Sequence, residues 1–343
     1  MTRVTLQVIA ETLAVSTATV SLALRDSPVV AAETKERVQR LAAELGYVYN
    51  RSAASLRTAR TNMVAVGFHD ITNPYFAEVL AAVEDAAMAA GRTILLATYG
   101  ESLERQARVL RTLREYRPDG MILCVAAGTQ KEDLAPLLAS GIPLTQLSRE
   151  TAGVDLDFVG SDDAAGVGLA IDHLVGLGHR RIAMICGMDS YSTGRARRRG
   201  YCEGLAAHGI PLDPALMFPA YGTRENGLAA IQAALALPDP PTAAVCFNDL
   251  AAFGAMNGLR HLGREAGRDF SIVGCDDVAE AAQWFPALTT VRNRQDEMGR
   301  LAAQMLAARI REPGLPTRRV LLEPLLMVRA STAPLRERRV ATA

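Results

Sequence analysis

The sequence predicts an α/β protein, with a small three-helix head followed by a body of two doubly wound parallel-sheet lobes. Three observations predict it. Residues 4–24 hold two short apolar-periodic helices joined by a tight turn, and a third amphipathic helix follows over 32–45. From Met63 onward, short apolar runs alternate with amphipathic helices, as in parallel sheets covered on both faces. That alternation runs through two rounds, one for each lobe. A chain of 343 residues with 49% hydrophobic content can bury the cores of two or three domains.

The head comes first. In VTLQVIAETLAVSTATVSLAL (4–24), Val4, Leu6, Val8, Ile9 and Leu13 are placed to face inward on the first helix, and Val20 and Leu24 on the second. Ser16 is a natural N-cap for the second helix. Thr17, Ala18, Ser21 and Leu22 are then left outward near its start. This is the plan of a helix-turn-helix, whose second helix enters the DNA major groove. Any small amphipathic helical pair would share its periodicity. Pro28 marks a loop, and 32–45 carries Val38, Leu41, Ala42 and Leu45 on one face, with Gly46 ending the helix at C′. Asn50 can cap a short helix over 51–57, which is marginal alone in water and would form against DNA or a second subunit. A plain linker is the alternative.

In the body, the first round reads MVAVGF (63–68), helix 77–90, TILLA (93–97), helix 103–116, MILCV (121–125), helix 131–139 and IPLTQL (142–147). The second reads helix 164–177, RIAMIC (181–186), helix 195–208, helix 225–237, AAVCF (243–247), helix 250–262, FSIVGC (270–275) and helix 295–311. A turn at 160–163 is the expected crossing between lobes.

Composition narrows the function. The chain is neutral overall, yet residues 1–60 carry eight Lys or Arg against five acids, a balance of +3 that leaves the rest about −3. A basic head on a mildly acidic body fits a nucleic-acid head. No run of about eighteen apolar residues occurs. Met1-Thr2-Arg3 leads into the helices with no signal-peptide core, so a cytoplasmic protein with no membrane partner is expected. The five cysteines are scattered without a CxxC, which points to buried reduced thiols. There is no GxGxxG after a strand, no GxxxxGKS or GxxxxGKT, no GxSxG and no HExxH, and the five histidines lack metal-ligand spacing. No enzyme, cofactor or metal is expected, and His179 in LGHRRI is read as structural.

Ligands of open α/β sheets bind outside the carboxyl ends of the strands. Asp70 with Asn73-Pro74-Tyr75-Phe76, then Ser148-Arg149, Asn248-Asp249 and Asp276-Asp277 all fall there, and Arg197 lies early in the helix after Cys186. Together they offer aromatic rings, two guanidinium groups, a carboxylate and an amide, a mix suited to a polyhydroxylated or heteroaromatic small molecule. Each has a bland reading. Asn248 can simply cap a helix, Asp276 and Asp277 can be loop acids, Arg197 can belong to a solvated basic face, and Tyr75, Phe76 and Trp284 can be core aromatics. Convergence on strand ends is the stronger argument.

The whole chain closely resembles the LacI/GalR family of bacterial transcriptional regulators. The resemblance is carried in order by TLQVIA, VSTATVSLAL, TKERVQRLAAELGY, NRSAASL, NPYF, HLVGLGHRRIA, RRRGY, FNDLAAFGAM, GCDD and ALTTV. It implies a homodimer on a pseudo-palindromic operator in double-stranded DNA, with a periplasmic-binding-protein-like body holding an effector between its lobes. It further implies a head over 1–48, a hinge over 49–61, one lobe over 62–161 plus 292–322, and another over 162–291 plus 323–343. Thr17, Ala18 and Leu22 then occupy base-reading positions. Thr5, Ser16, Thr19, Ser21 and Asn50 look like phosphate-positioning residues. Ser52 to Arg57 matches the hinge helix, with Ala53, Ala54 and Leu56 in the minor groove and Leu56 as the wedge. Tyr75, Phe76, Arg149, Arg197, Asn248 and Asp276 match effector-contacting positions.

The chain departs from the family pattern in places. Leu22 stands where many members carry Arg, which removes bidentate guanine reading there and favours a thymine methyl. Ala14 replaces the common turn Gly, and Tyr49 the usual Pro. The ending LRERRVATA has no heptads, so no coiled-coil tetramer is expected. An effector-controlled repressor is the leading expectation, with a sugar or sugar derivative favoured. A purine-responsive regulator and a solute-binding protein are the alternatives.

Overall fold

Residues 4–48 and 60–335 are described by the computed structural model, which divides into two units, Met1–Thr61 and Asn62–Ala343. In the first unit, α1 (Leu6–Leu13), α2 (Thr17–Ala23) and α3 (Ala32–Glu44) close around Ile9, Ala10, Val20, Ala23, Val38 and Ala42. The chain bends by 103° between α1 and α2. Val8, expected inside, is 42% exposed. The stripe that packs runs through 6, 9, 10 and 13, and Val8 lies off it. Gly46 sits at φ +64°, and the N–H groups of Gly46 and Tyr47 bond the carbonyls of Ala43 and Ala42, which closes α3 as expected.

The second unit holds two six-stranded sheets. One has the order β11-β5-β4-β3-β1-β2 and is parallel throughout. Its strands are β1 (Met63–Phe68), β2 (Thr93–Thr98), β3 (Gly120–Cys124), β4 (Leu144–Leu147), β5 (Asp157–Ser161) and β11 (Arg319–Leu322). The other has the order β12-β10-β9-β8-β6-β7, with only β12 antiparallel. Its strands are β6 (Ile182–Ile185), β7 (Met217–Phe218), β8 (Ala243–Cys246), β9 (Ser271–Asp276), β10 (Thr289–Arg292) and β12 (Leu325–Met327).

The helices are α4 (Pro74–Ala89), α5 (Leu103–Glu115), α6 (Lys131–Leu138), α7 (Asp163–Gly176), α8 (Ser192–Ala207), α9 (Arg224–Leu235), α10 (Asp249–His261), α11 (Ala279–Gln283) and α12 (Gln295–Arg311). Late in the chain, α12 returns to pack on α4 and on β3, β4 and β5 of the first sheet. Gly254 lets α10 touch α9, since a Cβ there would lie 1.9 Å from the Arg224 carbonyl oxygen. All five cysteines are free, and only Cys202 is partly exposed.

Several boundaries differ from expectation for local reasons. Helix α4 starts at Pro74 because Asn73 Oδ1 accepts the Tyr75 N–H at 3.1 Å and proline suits the first helical position. Tyr75 and Phe76 therefore sit in its first turn. The expected turn at 160–163 is partly strand, because β5 runs to Ser161 between β4 and β11. Its Asp157 is buried under a forked bond from Arg309 of α12, at 3.1 and 3.0 Å. A buried carboxylate made that strand read as loop.

Ala14 holds φ +53° and ψ +42° in the turn between α1 and α2. For an L-residue with a Cβ that region costs roughly 1–2 kcal/mol, and glycine removes the clash but loosens the unfolded chain by about 0.4–1 kcal/mol. Ala14→Gly is expected to stabilise the head by about 0.5–1 kcal/mol. Amide hydrogen exchange at Ile9, Ala10 and Val20 should slow; unchanged or faster exchange would show the turn unstrained.

Candidate functional site

On the head, Thr17 and Ala18 are exposed and Leu22 is half-buried. Ser16 Oγ accepts the Thr19 N–H at 3.0 Å and lies 2.9 Å from Thr19 Oγ1, while Thr5 Oγ1 accepts the Val8 N–H at 3.5 Å. Thr5 and Ser16 thus cap their helices and remain exposed. Ser21, expected outward, is 2% exposed. It lies three residues before Leu24 on the packed side, and Arg25 Nε donates to its carbonyl at 3.1 Å. Asn50, Ala53, Ala54 and Leu56 lie outside the described residues.

In the second unit, a cavity of about 610 Å³ opens at the carboxyl ends of strands from both sheets. Tyr75, Phe76, Arg149, Arg197, Asn248 and Asp276 all line it. Arg149 follows β4 through a tight turn, with Ser148 at φ +63° and the Arg149 N–H 2.6 Å from the Leu147 carbonyl. Its guanidinium forks onto Glu101, at 3.0 and 2.9 Å, donates to the Val125 carbonyl at 3.2 Å, and stacks 4.2 Å over the Tyr191 ring. Glu101 Oε2 also accepts the Ala127 N–H at 2.7 Å. His69 Nε2 lies 3.7 Å from Glu101 Oε1. Burial, and then the Arg149 charge, hold His69 well below its ordinary pKa, so its ring is neutral.

Arg197 is 6% exposed. Its Nε donates to Asp163 Oδ1 at 2.8 Å, its Nη1 donates to the Phe247 carbonyl, and its Nη2 lies 3.8 Å from Asp276 Oδ1. The guanidinium covers the Phe247 ring at 4.4 Å, and Phe247 meets Tyr191 edge-on at 5.5 Å. Two guanidinium–aromatic stacks therefore join into one wall. Asp276 accepts from Asn73 Nδ2 and Asn293 Nδ2, both at 3.3 Å, and its carbonyl accepts from Gln295 Nε2 at 2.7 Å. It holds φ +127° and Asp277 holds φ +56°. Such conformations cost about 1–3 kcal/mol each and cluster where a side chain must be aimed.

The bland readings are partly right. Asn248 caps α10 through a 2.9 Å bond from the Ala251 N–H, and its Nδ2 donates to the Gly222 carbonyl at 3.0 Å, while it still lines the cavity. Asp277 pairs with Arg329 at 2.6 Å, and Asp249 accepts from Val278 N–H and Thr290 Oγ1, so both are structural. Trp284 stacks on Phe253, and His179 is buried among Thr242, Ser271 and Ala333. Tyr75 and Phe76 are 4% and 7% exposed and pack edge-on, with the Tyr75 hydroxyl donating to Met298 Sδ at 3.4 Å.

The sequence reading missed Glu101, Asp163, Tyr191 and Phe247. Glu101 lies three residues past the end of β2, so the strand-end rule that found Arg149 also covers it. Asp163 opens and Tyr191 precedes helices that were placed one and three residues too late. Among the described residues, no group of three or more His, Cys, Asp or Glu could hold a metal ion, and no single helix is long and apolar enough to cross a membrane.

A helix-turn-helix head joined to a ligand cleft between two α/β sheets defines a DNA-binding regulator with a small-molecule sensor. Residues 5–50 match the model of "Bacterial regulatory proteins, lacI family", and 171–332 match that of a periplasmic binding protein-like domain. The ribose operon repressor of Haemophilus influenzae is 32% identical over 95% of this chain and 98% of its own. A solved complex of the transcriptional regulator CelR with cellobiose is 32% identical, with TM-score 0.73 over 96% of this chain and all of that one. The lac repressor dimer bound to operator and the anti-inducer ONPF is 26% identical, with TM-score 0.86 over 96% and 99% of the two chains. The chain belongs to the LacI family of bacterial transcriptional regulators. It is a DNA-binding regulator and not an enzyme.

Burial pushes the Asp276 carboxyl up to about 8 against the pull of Arg197, with Asp249 and Asp163 adding repulsion. A carboxyl raised in the fold stabilises it fully below its unfolded value of about 4, and that contribution is lost as pH rises to about 8. Urea unfolding midpoints should therefore fall between pH 6 and about 8, and fall less steeply for Asp276→Asn. Equal slopes in the two proteins would remove Asp276 as the cause.

Proposed function

We propose that this protein is a cytoplasmic repressor that binds a pseudo-palindromic operator as a homodimer. Its operator affinity is set by a sugar or sugar derivative held in the cavity. The observation that carries this reading is the convergence of Arg149, Arg197, Asn248 and Asp276 on one cleft at the strand ends of both sheets. Such a set offers donors and acceptors to neighbouring hydroxyls. Residues 62–161 with 292–322 form one effector lobe, and 162–291 with 323–343 the other. The ribose operon repressor and the CelR–cellobiose complex, both similar over nearly the whole chain, support a sugar. A purine would want an open aromatic face, and Tyr75 and Phe76 spend theirs on each other and on His69.

In the head, Thr17, Ala18 and Leu22 read base edges, Leu22 against a thymine methyl. Thr5, Ser16 and Thr19 position phosphates, and Ser21 acts through the head's packing. The hinge wedge Leu56, with Asn50, Ala53 and Ala54, is assigned on sequence alone.

The test selects an operator from a random DNA pool with the purified protein, then titrates it with and without sugars found by thermal shift. A sugar is expected to change operator affinity roughly 5–150-fold. Asp276→Ala should bind the same operator normally and need about fivefold more sugar, as expected for one lost hydrogen bond. An unchanged sugar midpoint would show that the effector sits elsewhere.

A further inference from the structure

We propose that the cavity accepts only uncharged polyhydroxylated ligands, and that Glu101 sets this choice by holding Arg149 neutralised. The inference rests on the sugar reading of the cleft and narrows it.

A carboxylate or phosphate ligand needs a cation with charge to spare. Each arginine that lines the cavity already has a carboxylate. Arg149 is forked onto Glu101. Arg197 is bonded to Asp163 and faces Asp276. Arg224, near the mouth, is forked onto Glu280 at 3.0 and 2.8 Å. His69 is neutral for the reason given above. Two further acids, Asp70 and Glu225, line the cavity and add negative charge.

The Glu101–Arg149 pair is built in. Arg149 is 5% exposed, and Glu101 is fixed by the Ala127 N–H as well as by the guanidinium. An anion reaching Arg149 would either displace Glu101, leaving a carboxylate without its cation, or share the guanidinium with it at like-charge cost. A hydroxyl ligand meets neither problem. It can accept from the Arg149 N–H groups not used by these partners and donate to the carboxylate oxygens of Glu101. Replacing that hydroxyl by a carboxylate turns a donor into an acceptor that faces acceptors.

Glu101→Gln keeps an acceptor for Ala127 and Arg149 while removing the charge. It should leave Arg149 as a free buried cation and create an anion site. The first probe is inorganic phosphate against chloride at matched ionic strength, read by thermal midpoint. The wild-type midpoint should rise with phosphate only in the unsaturating way that a kosmotropic salt gives without a site. The variant should gain a saturable phosphate shift, corresponding to affinity at least about tenfold above wild type, as for one charge-assisted bond. Saturable phosphate binding by wild type would overturn the proposal even if the variant failed to fold. A folded variant that gains nothing would overturn it too.

The second probe is calorimetry with ribose against ribose 5-phosphate, glucose against glucuronate, and galactose against galacturonate. In any pair that binds, the neutral sugar should win by at least about tenfold in wild type, and by less in the variant. An acid or phosphate that binds wild type more tightly would refute it. If phosphate behaves as expected and no sugar binds, the charge rule is supported and the sugar reading fails instead.

Discussion

Arg197 lies where water scarcely reaches, and a guanidinium left unpaired there would cost several kcal/mol, on the order of 3–5. Its neighbours are arranged around that fact. Asp163 opens α7 and takes Nε, the Phe247 carbonyl at the end of β8 takes Nη1, and Asp276 at the end of β9 faces Nη2. A helix and the ends of two strands of the second sheet are thereby tied to one side chain. The same logic repeats in the first sheet, where Glu101 after β2 and the Val125 carbonyl after β3 hold Arg149. A cavity lined by guanidinium groups can be this buried only because each of them is matched by a carboxyl partner within the fold.

The matching also links the cleft to the chain crossings. The chain passes between the sheets after β5, after β10 and between β11 and β12. Ser161 at the first crossing donates to Asn293 Oδ1 at the second, at 3.1 Å, and Asn293 Nδ2 donates to Asp276. Asn73, from the loop after β1, reaches the same carboxylate from the other sheet. Any ligand that pulls on Asp276 therefore pulls on both sheets and on a crossing at once. Differential contact of that kind is what coupling between a ligand and a lobe angle requires.

Much of this was legible in the sequence, because period and punctuation carry it. The run MVAVGF and helix 295–311 were placed correctly since their apolar patterns are unambiguous. Of the six proposed effector residues, all of which line the cavity, Arg149, Asn248 and Asp276 do so because strand ends converge in this architecture whatever the side chains are, and Tyr75, Phe76 and Arg197 reach it from helices that follow strands. What failed was local and polar. β5 hid behind the buried Asp157, whose partner Arg309 lies 152 residues away. The short strands β7, β10, β11 and β12 are at or beyond the limit where alternation can be seen. Ser21 was placed outside by its polarity, although helix geometry sets it beside the packed stripe. Glu101 was passed over because its meaning lies in Arg149, far along the chain.

If Leu22 reads a base as proposed, it shows how a departure from the family pattern changes the energetics of reading DNA. The side chain is half-buried, so part of it belongs to the head's packing and part is open to solvent. Its contact with a thymine methyl would be apolar and cheap to lose. A bidentate arginine–guanine pair discriminates by about 1–3 kcal/mol. With the hydroxyls of Thr5 and Ser16 already engaged as caps, the phosphate contacts proposed for them would have to use their remaining lone pairs or hydrogens. Little direct discrimination is then left in a single head, beyond Thr17 and Ala18. Specificity in such a protein has to come from pairing two heads at a fixed spacing, which multiplies weak half-site preferences. In a repressor of the kind proposed above, spacing is set by whatever positions the two heads. A head that reads DNA weakly alone would therefore be the one most open to the effector control proposed above.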